Sequence, residues 1–304
     1  MPQISVIIPT YNREQFIGEA LQSALDQTCQ AFEVIVIDDG STDRTEQIVR
    51  QLSNPIPILY QWQPNQGQAV SLNRGVSASS GEWIAFLDSD DLWYPHKLAV
   101  QVQHIETYPD VPFFYSAMDY FYVDNTGQPQ PTTRGWDSPL IPLIFQGQPN
   151  AHMPTVVLRK DIFHRFGGFK ASLRLGESWE LFARIAGAYP IYYIPQSLAK
   201  QRLHPDQTTR DLERRAENYH HFHACMWELW RDEPGKQATL LRETIKVYEN
   251  LGKHFRRSRN YLLARQCFRR AYSYKPWSLR NLRRWIFSSV PGLQQLYYGS
   301  CKVR

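Results

Sequence analysis

Residues 83–91, WIAFLDSDD, join a short apolar run to three carboxylates. An apolar run of this length predicts a buried β-strand, and the carboxylates mark its end at the surface. Two earlier segments have the same design, ISVIIPTYN at 4–12 and EVIVIDDGSTD at 33–43. Helical periodicity follows these strands, as at 16–25 and 68–78. This alternation predicts an α/β fold with a mostly parallel, Rossmann-like sheet covered by helices on both faces.

The three strand ends carry polar clusters: Pro9-Thr10-Tyr11-Asn12, Asp38-Asp39-Gly40-Ser41 and Asp88-Ser89-Asp90-Asp91. In open parallel sheets, ligands bind outside the carboxyl ends of the strands. We therefore expect all three clusters to line one ligand-binding edge.

Asp88 and Asp90 are two residues apart directly after a buried strand. Their mutual repulsion favours a bridging divalent ion such as Mg²⁺ or Mn²⁺, which prefers oxygen ligands and keeps positions open for phosphate. The alternative is an ordinary turn in which Asp91 caps the helix that begins near Pro95.

The second cluster also has two interpretations. Ser41 or Thr42 could cap the next helix, as Asn12 is expected to cap the first. Neither cap explains two adjacent acids before a glycine, and one acid could accept hydrogen bonds from a base or a ribose hydroxyl. The glycine-rich motifs of dinucleotide and P-loop sites are absent. A nucleotide could still bind if a metal ion neutralised its diphosphate.

Charge divides the chain near residue 210. Of 304 residues with a net charge of +5, residues 1–210 hold 15 Lys+Arg and 21 Asp+Glu, and residues 211–304 hold 19 and 8. The β-strand signals also stop there, which predicts an α/β domain at 1–210 and a basic helical region at 211–304. No apolar run approaches the roughly 18 residues of a membrane span, so we expect none.

The basic region ends in a helix whose apolar residues alternate with arginines. Trp277, Leu282, Trp285 and Ile286 are interleaved with arginines between 280 and 284. This pattern suits a helix lying at a membrane interface, or a helix docked on the catalytic domain with its arginines solvated or paired. No recognised nucleic-acid-binding fold accompanies the charge, so we expect no nucleic-acid partner.

A set of ordered motifs extends this interpretation: VIIPTYNRE, VIDDGSTD, NQGQAVSLNRG, WIAFLDSDD, GGF and GESWEL. In this order and spacing they resemble the family 2 glycosyltransferases, which have a GT-A-type fold. The resemblance covers roughly residues 3–205. It implies transfer of a sugar from a nucleotide diphosphate sugar, with inversion, to an acceptor hydroxyl.

The resemblance also implies roles for individual residues. The nucleotide-sugar-binding positions are Pro9, Thr10, Tyr11, Asn12, Asp39, Gly67, Asp88 and Ser89. The metal, Mn²⁺ or Mg²⁺, would be held by Asp90, with Asp88 and His204 close to it. A surface histidine beside Pro205 is the alternative for His204.

One motif departs from the family. Its usual Gly-Glu-Asp-Trp, whose aspartate is the general base, is Gly176-Glu177-Ser178-Trp179 here. A serine hydroxyl does not accept a proton at neutral pH, so Ser178 does not fill this role unaided. Glu177 is the first replacement and Glu180, on the same helical face, is the second. The third reading is a protein with weak or no transfer.

Two other classes remain open at this point, a nucleotidyltransferase and a nucleotide-sugar-binding protein without transfer. For the glycosyltransferase, we expect a UDP-linked donor and a carbohydrate or lipid-linked acceptor, in polysaccharide, glycolipid or cell-surface glycan synthesis. Four cysteines without a CxxC spacing suggest free thiols in a reducing compartment. The expected location is therefore cytoplasmic, with the inner face of the membrane as an option.

Overall fold

The structure is a computed structural model that describes residues 2–289 except 53–54, 124–128, 133–140, 146, 148–149 and 205–210. Its backbone divides into two compact units, Met1–Gln207 and Thr208–Arg304. Among the described residues, all strands belong to the first unit. The described part of the second unit is helical.

The first unit is built on one sheet, which has nine strands within the described residues. They are β1 (Ile4–Thr10), β2 (Glu33–Asp38), β3 (Ile58–Trp62), β4 (Trp83–Phe86), β5 (Leu92–Trp93), β6 (Phe113–Val123), β7 (Pro129–Thr132), β8 (Val157–Arg159) and β9 (Ile191–Arg202). Their order is β3-β2-β1-β4-β8-β6-β9-β5, with β7 paired to β6. The neighbours among β1–β4 are parallel, and β8 joins the two halves by antiparallel pairing.

Helices accompany this sheet along the chain. They are α1 (Ile17–Leu25), α2 (Thr45–Gln51), α3 (Gln68–Ala78), α4 (Lys97–Thr107), α5 (Ile141–Ile144), α6 (Lys160–Arg165) and α7 (Glu177–Ala186), with a 3₁₀ turn at Met153–Thr155. The predicted α/β fold, with helices on both faces of a sheet, is confirmed. Parallel pairing predominates in the half that carries the three polar strand ends, and the other half is mixed.

Strand β1 shows why helices cover both faces, since successive side chains of a strand point to opposite sides. Val6 packs in one core cluster with Leu21 of α1. Ile7 faces the other side, where α3 crosses at Gly75. A Cβ at Gly75 would lie 2.4 Å from Cγ2 of Ile7, so the glycine permits this close approach of helix and sheet.

The described residues of the second unit form four helices, in agreement with the helical region that the sequence predicts. They are α8 (Leu212–Leu229), α9 (Pro234–Arg257), α10 (Tyr261–Tyr274) and α11 (Leu279–Ser289). The Asp211 carboxylate caps α8 by accepting from the Arg214 amide at 2.9 Å, and Asn260 caps α10. A Cβ at Gly252 would lie 2.7 Å from the Phe268 ring, so α9 and α10 pack closely. No helix in the described residues is both long and apolar enough to cross a membrane.

Candidate active site

The ends of β1 and β2 lie side by side at the carboxyl edge of the sheet. Thr10 pairs with Asp38 in the parallel register, and the Asp39 amide donates to the Thr10 carbonyl at 2.8 Å. Strand β4 is the other neighbour of β1, and its end leads into Asp88. The three polar clusters therefore share one edge. Ser89 is buried there, and so is the Thr10 hydroxyl, which has no partner among the described residues.

Asp39 organises the loop that precedes α3. Its carboxylate accepts hydrogen bonds from Nε2 of Gln63 at 2.7 Å and from the amides of Gln66 and Gly67 at 2.9 and 2.7 Å. Gly67 has a φ of +96°, and a Cβ there would lie 2.8 Å from the Arg174 guanidinium. Asp39 thus fixes a loop whose close approach to Arg174 requires glycine.

Asn12 does not cap α1, contrary to the prediction. The helix begins at Ile17, and no side-chain cap precedes it. Asn12 has a φ of +49°, its amide donates to the Ser41 hydroxyl at 2.8 Å, and its Oδ1 accepts from the Thr42 amide at 2.9 Å. It therefore ties the first polar cluster to the second. Ser41 and Thr42 do not cap α2 either, which begins at Thr45.

Tyr11 and Pro9 flank this junction at the end of β1. Pro9 is a buried strand residue, whereas the Tyr11 side chain is 46% exposed. Tyr11 is thus available to a ligand at the edge, and Pro9 shapes the strand beneath it.

Asp90 lies between the imidazole of His204 and the guanidinium of Arg13. Its Oδ2 is 3.0 Å from Nε2 of His204 and 3.5 Å from Nε of Arg13. Burial alone would raise the pKa of this carboxyl, but the hydrogen bond with His204 and the charge of Arg13 outweigh it, and the pKa falls below its usual value. His204 is 8% exposed, so it belongs to the edge rather than to the outer surface.

Asp88 has the opposite electrostatic environment. Burial, together with the negative charges of Asp90 and Glu177, raises the pKa of Asp88 to about 7, while Oδ1 accepts from Nε2 of Gln68 at 3.1 Å. Glu177 therefore lies within electrostatic range of the Asp88 carboxylate. Three acids concentrated in this way form a site that favours a cation.

Asp91 is structural, although it does not cap a helix as the alternative interpretation proposed. It is 1% exposed, and its Oδ1 accepts from the Arg202 amide at 3.0 Å. The Arg202 guanidinium in turn donates to the Asp90 carbonyl at 3.2 Å. These bonds fasten the end of β9 to the acidic turn and so place His204 beside Asp90.

The candidate bases occupy the first turns of α7, which follows Gly176 in a left-handed conformation. Glu177 and Ser178 are half-buried. Glu180 is fully buried, and its carboxylate lies 2.8 Å from both Nη2 of Arg184 and Nζ of Lys170. The structure brings Glu177 towards Asp88 and engages Glu180 in an ion-pair cluster.

The chemistry of this edge suits a divalent cation, since the Asp90 carboxylate contacts the His204 imidazole and its negative charge repels that of Asp88. Within the described residues, no group of three or more His, Cys, Asp or Glu side chains is placed so that it could hold a metal ion by itself. Mg²⁺ and Mn²⁺ sites are commonly completed by substrate phosphates, so a partial protein set is compatible with these ions.

Sequence reasoning missed Arg13, Gln63 and Arg202. Arg13 belongs to the motif VIIPTYNRE, but it contacts Asp90, which lies 77 positions later in the sequence. The backbone bond from Arg202 to Asp91 carries no side-chain signal at all. Long-range pairing of this kind has no local pattern.

The family model described as "Glycosyl transferase family 2" matches residues 5–167. An uncharacterized glycosyltransferase of Rickettsia bellii is 35% identical over 209 residues, which are 68% of this chain and 30% of that protein. The chain thus spans less than a third of the length of this relative.

Two solved structures share the fold. TarS 1–349 of S. aureus in complex with UDP-GlcNAc has a TM-score of 0.60 at 22% identity, over 94% of this chain and 79% of that one. The mannosyltransferase PcManGT of Pyrobaculum calidifontis in complex with GDP-Man and Mn²⁺ has a TM-score of 0.59 at 19% identity, over 98% and 83%. These likenesses concern the fold, which is of the GT-A type. With the family model matching more than half of its residues, the chain belongs to glycosyl transferase family 2.

Proposed function

We propose that this protein transfers a sugar from a nucleotide diphosphate sugar, with UDP as the favoured nucleotide, to an acceptor hydroxyl with inversion. The observation that carries the proposal is the convergence of Asp39, Asp88 and Asp90 on one sheet edge. Complexes of proteins with the same fold contain UDP-GlcNAc and GDP-Man, which supports a donor of this class.

In this proposal the nucleoside lies against the ends of β1 and β2. Pro9, Thr10, Tyr11 and Asn12 line one side, and the buried Thr10 hydroxyl, unpartnered within the described part of the chain, could bond to the nucleoside. Asp39 would hold the base while it keeps the Gly67 loop in place beneath the donor sugar. Ser89, buried between the two acids of its turn, shapes the floor of the site.

Asp90, Asp88 and His204 would hold a Mn²⁺ or Mg²⁺ ion. Bound there, the ion would supply the positive charge that neutralises the diphosphate leaving group. A protein side chain would contribute to the same charge neutralisation. Arg13 lies within 3.5 Å of Asp90 and adds a fixed positive charge at the same point, where a diphosphate would carry its negative charge.

Glu177 is the proposed general base. It is near the reaction edge, as its effect on the pKa of Asp88 indicates, and it is half-buried, whereas Glu180 is fully buried in an ion-pair cluster. Inversion in one displacement requires a base on the acceptor side of the sugar and no covalent intermediate. Ser178 could orient the acceptor hydroxyl next to it.

The remaining parts of the proposal concern the surroundings of the reaction. We propose a carbohydrate or lipid-linked acceptor, a role in polysaccharide, glycolipid or cell-surface glycan synthesis, and a cytoplasmic location. The catalytic domain would end near residue 210. The basic helices beyond it would contact a membrane peripherally, without a nucleic-acid partner.

Ser178 at the usual base position favours a second candidate, a nucleotide-sugar-binding protein without transfer. Incubating the protein with UDP-sugars, Mn²⁺ and a panel of acceptors separates the two. Release of UDP with a product whose anomeric configuration, determined by NMR, is opposite to that of the donor supports the inverting transferase. Tight donor binding without release of UDP from any donor supports the second candidate.

A further inference from the structure

One side of α11 exposes large apolar side chains. Leu279 is 69% exposed and Ile286 is 45% exposed, and Trp277, just before the helix, is 91% exposed. Leu279, Arg283 and Ile286 follow the spacing i, i+4, i+7, so they form one stripe on the helix surface. We call these three residues, together with the exposed Trp277 in the turn before the helix, the α11 stripe. Exposed large apolar residues that are clustered in this way indicate a contact surface.

The other side of α11 is already occupied by its own unit. Trp285 stacks on Tyr272 of α10 with ring centroids 5.7 Å apart, and Asn281 is 1% exposed. Arg284 and Arg280 both pair with Glu249 of α9, at 2.9 and 2.8 Å. The α11 stripe is therefore the face that remains exposed after the helix has packed against the described helices of its own unit.

Charge identifies the kind of partner. Residues 250–304 contain thirteen Lys and Arg and no Asp or Glu, so no carboxylate from this segment neutralises the surface around the stripe. Glu249 is committed to Arg280 and Arg284. Arg283 makes no ion pair with any residue that the structure describes. The partner must accept tryptophan, leucine and isoleucine and also be negatively charged.

A bilayer containing anionic lipids has both properties. Tryptophan prefers the headgroup region, aliphatic side chains enter the acyl boundary, and arginines contact phosphates. A nucleic acid would pair its phosphates with the arginines but would offer no apolar surface to Leu279 and Ile286. An acidic protein with an apolar groove is the competing partner, and it would leave the protein without affinity for lipid vesicles.

We propose that the α11 stripe docks the protein on an anionic membrane surface, with Trp277, Leu279 and Ile286 inserted at the interface and Arg283 on the headgroups. This inference rests on the proposed peripheral membrane contact. It assigns that contact to four side chains and to lipids with negatively charged headgroups. The glycosyl transfer reaction is independent of it.

The test is sedimentation of the full chain with vesicles of phosphatidylcholine alone or with 30 mol% phosphatidylglycerol. We expect at least about tenfold stronger binding to the anionic vesicles, since each basic residue near such a surface contributes about fivefold, and weaker binding at high salt. The triple variant W277S/L279S/I286S should lose at least about tenfold. The matched control F32S/L59S, which removes two exposed apolar side chains from the catalytic unit, should bind within twofold of the wild type.

The arginine is tested separately. Arg283→Glu should weaken binding to anionic vesicles about tenfold or more, whereas Arg231→Glu, the same charge change at an exposed position after α8, should have a smaller effect. Unchanged binding of the triple variant, or equal binding to both vesicle types, overturns the proposal. So does retention by heparin or RNA without vesicle binding. UDP release, measured without vesicles, reports on the transfer proposal alone, so the two can fail separately.

Discussion

Glu177 and Glu180 are both acids in the first turns of α7, yet the structure predicts opposite consequences for their removal. Glu180 is fully buried, and it pairs with Arg184, which is 17% exposed, and with Lys170, which is 44% exposed. The Glu180→Gln substitution keeps the shape but removes the charge. Arg184 then stays buried without its counter-ion, whereas Lys170 can turn into solvent.

The expected decrease in the free energy of unfolding follows from this difference in exposure. Removing one partner of a buried pair costs roughly 3–5 kcal/mol, and the escape of Lys170 places Glu180→Gln near the lower end, at about 3 kcal/mol. For a unit of 207 residues this corresponds to a fall in Tm of about 6–12 °C. The rate of transfer per folded molecule should change little.

Glu177→Gln should show the reverse. The side chain is half-buried, and its charge repels Asp88, so the Tm should stay within about 2 °C of the wild type or rise. Loss of a general base should lower the rate of transfer by about 10²–10⁴-fold.

The assay is thermal unfolding of both variants together with UDP release at 15 °C, where both remain folded. Rate loss in Glu180→Gln at an unchanged Tm, with Glu177→Gln active, would reverse the assignment of the base. Full activity of both variants would place the base elsewhere.

Three further predictions concern other parts of the molecule. Adding Ser178→Asp to Glu177→Gln should recover part of the rate in the same UDP-release assay, because a carboxylate returns to the position that the family uses, and no recovery would exclude this position as a base site. Gly67→Ala should raise the KM for the donor, since residue 67 has a φ of +96° and a Cβ there would lie 2.8 Å from the Arg174 guanidinium. Initial rates measured over a range of donor concentrations give the KM, and an unchanged KM would contradict this prediction. Burial lowers the pKa of His223 to about 4, so its neutral form stabilises the fold above pH 6.5 and this contribution is lost as the pH falls towards 4. Urea unfolding gives the free energy of unfolding at pH 7 and at pH 5. The decrease in this free energy from pH 7 to pH 5 should be about 2 kcal/mol smaller in His223→Phe than in the wild type, and an equal decrease in both proteins would contradict the argument.

The sequence predicted the parts of the fold that depend on local pattern. Helix α3 has the predicted bounds, and the strands before the three polar clusters occur where apolar runs stand. Asn12 was wrongly predicted as a cap because its side chain bonds across the chain to the Thr42 amide rather than to its own helix. A local capping pattern carries no information about such a competing partner.

The candidate site likewise has one part that the sequence predicts and another that it does not. Strand ends placed Asp39, Asp88 and Asp90 at one edge, and the family resemblance added His204, which lies 3.0 Å from Asp90. The sequence left Glu177 and Glu180 on one helical face and could not separate them. The structure distinguishes them by the full burial of Glu180 and by its contact with Lys170, which lies outside the helix.

The central claim is that Asp90 anchors the metal-dependent binding of a nucleotide diphosphate. Isothermal titration calorimetry of UDP, with and without Mn²⁺, tests it in the wild type, in Asp90→Asn and in Asp110→Asn, an exposed carboxylate outside the site. We predict that Mn²⁺ strengthens UDP binding at least about tenfold in the wild type and in Asp110→Asn, and that this gain disappears in Asp90→Asn. The same Mn²⁺-dependent gain in Asp90→Asn would contradict the account.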